Sequence, residues 1–305
     1  MKRMLILGSF FSFCALTLNA QFYFSNDRYY ESPILYEIGI KGGIMNALTD
    51  LGGKGGNKKS RGIIPDLRWS TARACYGFYL MATYNHAVSI RLEGTSGSVV
   101  GYDSVLKRYG DKKDVRYKRN QSFKSQIAEI SLGIEVHPLF IFNNGETQSR
   151  ISPYFVMGAG YYGFDPQAKL GDHWYALKPL HTEGQNFSEY PDRKEYDLHQ
   201  YNLSGGLGLR MELGSQFNLR LEALGRKLFT DYLDDVSTTY IDPSLFYKYL
   251  APTVAVVAEQ LANRRKEINP ADNIAPGTSR GNPKKNDTYF TVELKLGVIL
   301  GRTKR

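Results

Sequence analysis

The chain has 305 residues, a length that suits one large domain or two small ones. Its formal net charge is +9, from 39 lysines and arginines against 30 aspartates and glutamates. Such an excess can indicate nucleic-acid binding, but the basic residues are spread over many segments and an export signal opens the chain, so we expect no nucleic-acid partner. A solvated surface, or contact with anionic lipopolysaccharide, explains the charge better.

Residues 1–20 predict a signal peptide that is cleaved after export. A basic start at residues 1–3, a short apolar run at residues 4–18 and the small residue Ala20 form the pattern typical of such signals. A membrane anchor is the alternative, but the apolar run is shorter than the about 20 residues that a spanning helix needs. After cleavage Cys75 is the only cysteine, which excludes an intrachain disulfide.

The mature chain predicts eight β-strands after a periplasmic lead at residues 21–32. The clearest pattern is the hairpin at residues 201–226, in which two arms of alternating apolar and polar residues flank a Gly-Ser turn. Successive side chains of a strand point to opposite faces, so a period of two predicts strands and not helices. The predicted strands are residues 33–47, 72–84, 88–95, 123–136, 152–164, 201–213, 216–226 and 288–300.

The connections between these strands alternate in length. Those after the first, third, fifth and seventh strands are long, and those after the second, fourth and sixth are short or moderate. Bacterial outer-membrane barrels show this asymmetry, with short periplasmic turns and long extracellular loops. The longest connection, residues 229–287, contains a segment at residues 254–265 whose composition predicts a helix inside the loop.

These patterns predict an all-β fold for residues 33–305, namely an eight-stranded antiparallel transmembrane β-barrel with long extracellular loops. Apolar faces would contact lipid and polar faces would line the lumen, which side chains fill in a barrel of this size. A soluble sandwich with solvated charges is the alternative, but it must explain the export signal and the loop alternation separately.

The polar faces carry full charges of both signs in similar number. Buried charges are tolerated when they are paired and hydrogen-bonded. We therefore predict an ion-pair network that plugs the lumen and blocks conduction. Its predicted members are Glu37, Lys41, Arg73, Arg91, Glu93, Glu129, Glu135, Arg210, Glu212, Arg220, Glu222, Arg226, Glu293 and Lys295.

The densest acidic cluster is Asp231, Asp234 and Asp235, just after the seventh strand. A calcium site is one interpretation, because hard cations bind carboxylate oxygens. The spacing of a calcium-binding loop is absent, which favours a structural cluster at the base of the loop. In that role Asp234 or Asp235 would cap backbone donors or pair with Arg226.

No segment predicts catalysis or cofactor binding. The five histidines lack the spacing of metal ligands, and no glycine-rich phosphate loop is present. His181, Ser188 and Asp192 are the residue types of a hydrolase triad, but their proximity in sequence does not indicate triad geometry. We therefore predict no enzyme activity, no catalytic residues, no cofactor and no metal.

Four short segments, in their order and spacing, resemble a known family. They read Ser-Pro-Tyr at residues 152–154, Thr-Glu-Gly-Gln at 182–185, Thr-Asp-Tyr-Leu-Asp-Asp-Val-Ser-Thr-Thr-Tyr at 230–240 and Arg-Gly-Asn-Pro-Lys-Lys-Asn-Asp at 280–287. Together they are similar to the PorG-like outer-membrane β-barrels of Bacteroidota, which belong to the type IX secretion system. The helix-like insertion at residues 254–276 departs from that pattern.

The resemblance implies a non-enzymatic barrel in the outer membrane. It implies the anchoring of a periplasmic ring, built by a lipoprotein and its partner subunit, in protein transport and gliding motility. The predicted contact surfaces are the periplasmic turns at residues 85–86, 138–150 and 214–215, together with the termini, including the basic tail at 302–305. A surface binding or adhesion barrel that uses its long loops is the alternative.

Overall fold

The computed structural model describes residues 29–51, 69–104, 115–142 and 150–304, so the predicted signal peptide lies outside the described residues. The strands are β1 (Tyr29–Leu48), β2 (Arg73–Tyr84), β3 (Val88–Tyr102), β4 (Ser122–Val136), β5 (Ile151–Leu170), β6 (His173–Ala176), β7 (His199–Glu212), β8 (Phe217–Leu228) and β9 (Thr288–Lys304). The helices are α1 (Val115–Arg119), α2 (Pro138–Phe142), α3 (Ser244–Tyr249) and α4 (Pro252–Ala262). No helix in this part of the chain is long and apolar enough to cross a membrane.

Eight of the strands close into a ring. Antiparallel pairing runs in the order β4-β3-β2-β1-β9-β8-β7-β5, and a further pairing of β4 with β5 joins the two ends of that order. Closure satisfies the backbone groups that a free sheet edge would leave unpaired. The short strand β6 lies outside the ring and forms a hairpin with the far end of β5.

The ring strands coincide with the predicted strands, but several are longer. β1 begins at Tyr29, inside the predicted lead, and β3 and β5 extend to Tyr102 and Leu170 beyond their predicted ends. The extended ends carry β-strand pairing into segments that composition assigns to loops. β6 falls within a predicted loop and was not predicted.

The two faces of the ring have opposite chemistry. Outward side chains such as Ile40, Tyr76 and Tyr201 are 67%, 67% and 68% exposed. Their inward neighbours, such as Lys41 and Asn202, are buried. The alternation of period two therefore places apolar side chains outside and polar side chains inside, the reverse of a protein that folds around an apolar core in water.

The described parts of the long connections fold over one end of the ring. One buried apolar cluster, which includes Phe123, Tyr162 and Tyr289, fills that end of the interior. A second cluster packs α3 and α4 against the β5–β6 hairpin and the following loop. The predicted helix at 254–265 corresponds to α4, which starts at Pro252 and ends at Ala262, before a 3-10 turn at Arg264–Glu267. We call this assembly of loops the cap.

The other end of the ring carries the short turns. Asn85 and His86 both adopt positive φ angles, 46° and 58°, as a tight hairpin turn requires. The turn between β7 and β8 is longer than the predicted Gly-Ser pair. It spans residues 213–216 and is closed by a hydrogen bond from the Leu213 N–H to the Phe217 carbonyl.

Glycine on the inner wall makes room for an aromatic ring. Tyr154 lies across Gly208 of the neighbouring strand, where an added Cβ would overlap the tyrosine ring. The Tyr154 hydroxyl donates a hydrogen bond of 2.9 Å to Glu222, which holds the ring in place. Gly205 on the same strand is different, since an added Cβ there would meet no atom within 4 Å.

We expect Gly208→Ala to lower the free energy of unfolding by about 1–3 kcal/mol, because the added methyl group displaces Tyr154 from Glu222. The matched control, Gly205→Ala, should stay within about 0.5 kcal/mol of the wild type. Urea unfolding of the refolded protein, followed by circular dichroism, measures both variants. Equal losses would contradict the placement of the Tyr154 ring.

Candidate functional site

The interior of the ring holds nearly all the predicted charges. Thirteen of the fourteen predicted residues are buried there, each with at most 8% of its surface exposed. Six of the thirteen are cationic and seven are anionic, so the interior is close to neutral as a whole. The thirteen are Glu37, Lys41, Arg91, Glu93, Glu129, Glu135, Arg210, Glu212, Arg220, Glu222, Arg226, Glu293 and Lys295.

Like charges stand side by side along the inner wall. The pairing register places Lys41 opposite Lys295, and Lys295 opposite Arg220. In the next inward row Glu222 stands opposite Glu293. Like charges directly opposite on adjacent strands repel. The two rows relieve this repulsion in part, because Lys295 pairs with Glu222 at 2.8 Å and Lys41 with Glu293 at 3.4 Å.

Unlike charges from distant strands supply further partners. Arg91 of β3 reaches Glu222 of β8 through two hydrogen bonds of 2.5 and 2.9 Å, although these strands are four steps apart either way around the ring. Glu93 of β3 accepts hydrogen bonds from Lys41 at 3.0 Å and from Lys295 at 2.5 Å. The ion pairs therefore cross the interior and tie opposite walls together.

Two further sets of ion pairs lie in the interior, one on each side of the contacts made by Glu222 and Glu93. Towards the short turns, Glu37 pairs with Arg220 and also accepts a hydrogen bond of 2.5 Å from the Tyr79 hydroxyl. Towards the cap, Glu129 accepts hydrogen bonds of 2.8 Å from both Arg226 and Asn202. Charged hydrogen bonds thus occupy the interior at three levels.

Arg73 is the predicted member that does not join the network. Its side chain is only half-buried and donates to the backbone carbonyls of Ser70 and Ala72. The reason is its position at the first residue of β2, at the end of the ring.

Arg210 and Glu212 lie inside the ring, but the distance between their charged atoms is 3.9 Å. The Arg210 guanidinium lies 5.1 Å from the centre of the Phe140 ring.

The centre of the network has the donor set of a metal site but is already neutralised. Among the described residues, one group of three carboxylates can place one oxygen each within 4.8 Å of the others: Glu93, Glu222 and Glu293. Lys41 and Lys295 place ammonium groups among those oxygens. These cations take the place that a metal ion would occupy, so the trio needs no metal for charge balance.

A Ser–His–Glu chain lies at the end of the ring that carries the short turns. His137 Nε2 lies 2.7 Å from Glu135, and His137 Nδ1 lies 3.0 Å from Ser152 Oγ. These are distances of a nucleophile–base pair, but all three side chains are completely buried. Since no substrate reaches a hydroxyl with no exposed surface, we interpret the chain as structural.

The hydrolase set considered from the sequence does not assemble. Ser188 Oγ contacts Glu189 and Tyr249, both on the outside of the cap. His181 packs on the Phe187 ring, with centroids 5.9 Å apart, and Asp192 is exposed. The three side chains therefore have separate surroundings and do not form a triad.

The acidic cluster lies at the base of the cap, and its members have different surroundings. Asp234 accepts hydrogen bonds from the backbone N–H groups of Leu51 at 3.2 Å and Val236 at 3.0 Å, as a capping role predicts. Asp235 accepts from Thr182 and Tyr196, and lies 3.9 Å from Arg280.

The predicted pairing of this cluster with Arg226 is wrong. Arg226 points into the ring and pairs with Glu129. The cation that serves the cluster is Arg280, a residue within the fourth segment that resembles the known family.

Glu183, the acceptor at the centre of the cap, is not among the residues predicted from the sequence. Glu183 accepts hydrogen bonds from the N–H groups of Ser237 and Thr238, both at 2.9 Å, and from Arg280 at 2.9 Å. Glu183 and Arg280 fall in two of the four short segments described above. Their presence there was the signal that could have identified them.

Burial changes the acid–base behaviour of these loop aspartates. It raises the pKa of Asp231 to about 8, of Asp234 to about 7 and of Asp235 to about 6. The Arg280 guanidinium opposes this rise in pKa at Asp235. A carboxylate charge is therefore unfavourable here unless a cation is close.

No protein-family model matches the chain, and no curated protein sequence matches it. Solved structures to which the chain is similar include the N-terminal β-barrel domain of Pseudomonas aeruginosa OprF, with 9% identity, TM-score 0.34, and coverage of 88% of this chain and 98% of that one. Neisserial surface protein A shows 10% identity, TM-score 0.37, and coverage of 88% and 97%. The outer membrane protein OprG from Pseudomonas aeruginosa shows 11% identity, TM-score 0.34, and coverage of 87% and 95%.

The network predicts a large penalty for removing one central charge. Glu222→Gln leaves Arg91 and Lys295 buried with one carboxylate fewer, and we expect the free energy of unfolding to fall by about 3–5 kcal/mol. Urea unfolding measures the loss. Glu189→Gln removes one partner of an exposed Glu–Lys pair and serves as the control, with little change expected. A Glu222→Gln variant as stable as this control would contradict the network.

Proposed function

We propose that this chain is an eight-stranded transmembrane β-barrel of the bacterial outer membrane, with its interior plugged. The observation that carries the proposal is the outer face of the ring, where more than twenty large apolar side chains are exposed around buried ion pairs. Each such side chain would gain about 1.5–3 kcal/mol by leaving water. Acyl chains of a bilayer provide that environment for all of them at once.

The height of the apolar face supports this placement. On β2 the outward-facing Tyr76 and Tyr84 mark the two edges of the apolar face. The eight residue steps between them correspond to about 26 Å along the strand. With the tilt of barrel strands this corresponds to about 20 Å along the axis, close to the apolar band of outer-membrane barrels. Tyr161 and Tyr201 lie side by side near the cap, with ring centroids 5.1 Å apart, as in an aromatic girdle.

The plugged interior predicts no ion conduction. Purified protein in planar bilayers should give no conductance above background, because ion pairs and apolar side chains occupy the interior from the cap to the short turns. A barrel known to conduct, reconstituted in the same way, is the positive control. Stable single-channel steps from the wild type would contradict the plugged interior.

Within the membrane we propose a non-enzymatic anchoring role in type IX protein secretion. The resemblance to PorG-like barrels supports it, and the periplasmic ring lipoprotein and its partner subunit are the proposed partners. The turn after β4 offers a contact surface, since Phe142 of α2 is 82% exposed while Phe140 is buried under the ring. No cofactor, metal or nucleic acid takes part in anchoring itself.

A surface binding or adhesion barrel is the second candidate. The ordered cap favours it, because α3, α4 and the following turn expose Tyr247, Val256 and Ile268 on its outside. Deleting residues 256–276 would not separate the two candidates. It would remove Leu261 and Ala262 from the buried core of the cap and so disturb the fold of the cap itself. Single substitutions of exposed side chains separate the two candidates better.

Crosslinking in intact membranes, followed by affinity purification, tests the anchoring role. The wild type should capture a periplasmic ring lipoprotein, and Phe142→Asp should reduce that capture by about tenfold, because it puts a charge into an apolar contact. Tyr247→Asp in the cap is the matched control and should leave capture unchanged. Loss of a partner with Tyr247→Asp, and not with Phe142→Asp, would favour the surface binding role.

A further inference from the structure

The cap has a groove on its outside, between α3, α4 and the 3-10 turn that follows α4. Its volume is about 430 Å³, which lies within the range of small-molecule sites, about 300–1,000 Å³. Its lining comes from residues 243–267 and from Leu170 at the end of β5, and most of it belongs to the insertion at 254–276. The anchoring role does not account for a groove in this segment.

Part of the lining is apolar and includes an aromatic ring. Tyr247 and Val256 line the groove with 51% and 43% of their surfaces exposed, and Pro243 and Leu170 also line it. The Tyr247 hydroxyl on α3 donates a hydrogen bond of 2.9 Å to Glu259 on α4, which bridges the two helices and fixes the ring. A ring held in this way offers a ligand an apolar surface at little further cost in side-chain entropy.

The rest of the lining is polar and has hydrogen-bonding groups to spare. Gln260 and Lys266 are exposed, and their side chains make no hydrogen bond within the described part of the chain. Glu259 uses one carboxylate oxygen for Tyr247 and keeps the other. Asn263 uses its side-chain oxygen for a backbone N–H at 3.2 Å and keeps its amide N–H groups. The groove therefore offers donors and acceptors together.

The charges of the groove balance, which favours a neutral ligand. Glu259 and Lys266 have opposite signs, and the remaining charged side chain, Glu267, pairs with Arg264 at 2.8 Å. Donors and acceptors side by side suit hydroxyl groups, because each hydroxyl group both donates and accepts. A ligand that carries many hydroxyl groups and also has an apolar face satisfies both parts of the lining.

We propose that this groove binds a neutral saccharide, with one pyranose ring against Tyr247. The C–H groups on one face of the sugar cover the aromatic ring, and the sugar hydroxyl groups reach Glu259, Gln260 and Asn263. The proposal names a ligand class for the surface binding role, and it rests on that second candidate function and not on anchoring. A single sugar unit offers few atoms for contact, so we expect a dissociation constant of about 1 mM.

The test uses the purified protein in a detergent that has no sugar head group. The probes are the methyl glycosides of glucose, galactose, mannose and N-acetylglucosamine. Saturation-transfer NMR reports which probe binds and which of its protons lie against the protein. At least one probe should bind with a dissociation constant of about 0.1–10 mM, and the C–H protons on one face of its ring should receive the most saturation.

Substitutions of exposed side chains separate the parts of the site. Tyr247→Ala removes the aromatic surface and should weaken binding by about tenfold or more. Tyr247→Phe keeps the ring but loses the hydrogen bond that orients it, and Gln260→Ala removes one hydrogen-bonding group, so each should weaken binding by about threefold. Lys248→Ala, on the same helix as Tyr247 but outside the lining, is the matched control and should bind as the wild type does.

Two results would overturn the proposal. One is a wild type that shows no saturation transfer to any of the four glycosides at 10 mM, about ten times the expected dissociation constant. If such a protein selects peptides from a random library, the groove is a peptide site. The other is a Tyr247→Ala variant that binds as tightly as the wild type, which would place the sugar elsewhere. Because binding is measured in detergent solution, either result leaves the membrane placement and the anchoring role to their own tests.

Discussion

Unlike charges meet across the interior of the ring, and the rest of the structure depends on this contact. Arg91 on β3 and Glu222 on β8 lie on opposite walls of the ring and pair across its interior. Like charges stand directly opposite one another on adjacent strands and repel. Their partners come diagonally from the next row, as Glu222 does for Lys295 at 2.8 Å, and from across the interior. The closed ring is therefore the arrangement that brings these opposite charges into contact.

With the charges inside, the apolar residues must lie outside, and this arrangement decides where the protein is stable. An apolar outer face is unfavourable in water and favourable in a bilayer, where a closed ring also satisfies the backbone of every strand. The interior network fills the space that would otherwise admit water and ions. In the function proposed above, the same side chains stabilise the ring and block conduction.

Much of this arrangement follows from local sequence, and some of it does not. Period-two alternation around Leu207 and Leu221 predicts both the strands and the face of each side chain. The partner of each charge depends on register and on strands that are far apart in sequence, as for Arg91 and Glu222, which are separated by 131 residues. Arg73 shows the limit of alternation, because a residue at the end of a strand can face inward and still lie outside the network. The strand β6 and the acceptor Glu183 depend on how the loops pack together, for which no short sequence period exists.

Spin labels on the outer face test the central claim most directly. Cysteines introduced at Ile130 and Leu207 in a Cys75→Ala background, labelled and reconstituted in bilayers, report collisions with oxygen and with a water-soluble nickel chelate. The account predicts frequent collisions with oxygen and few with nickel at both positions, and the reverse at an exposed cap residue such as Asp172. Free access of nickel to Ile130 and Leu207 would contradict it.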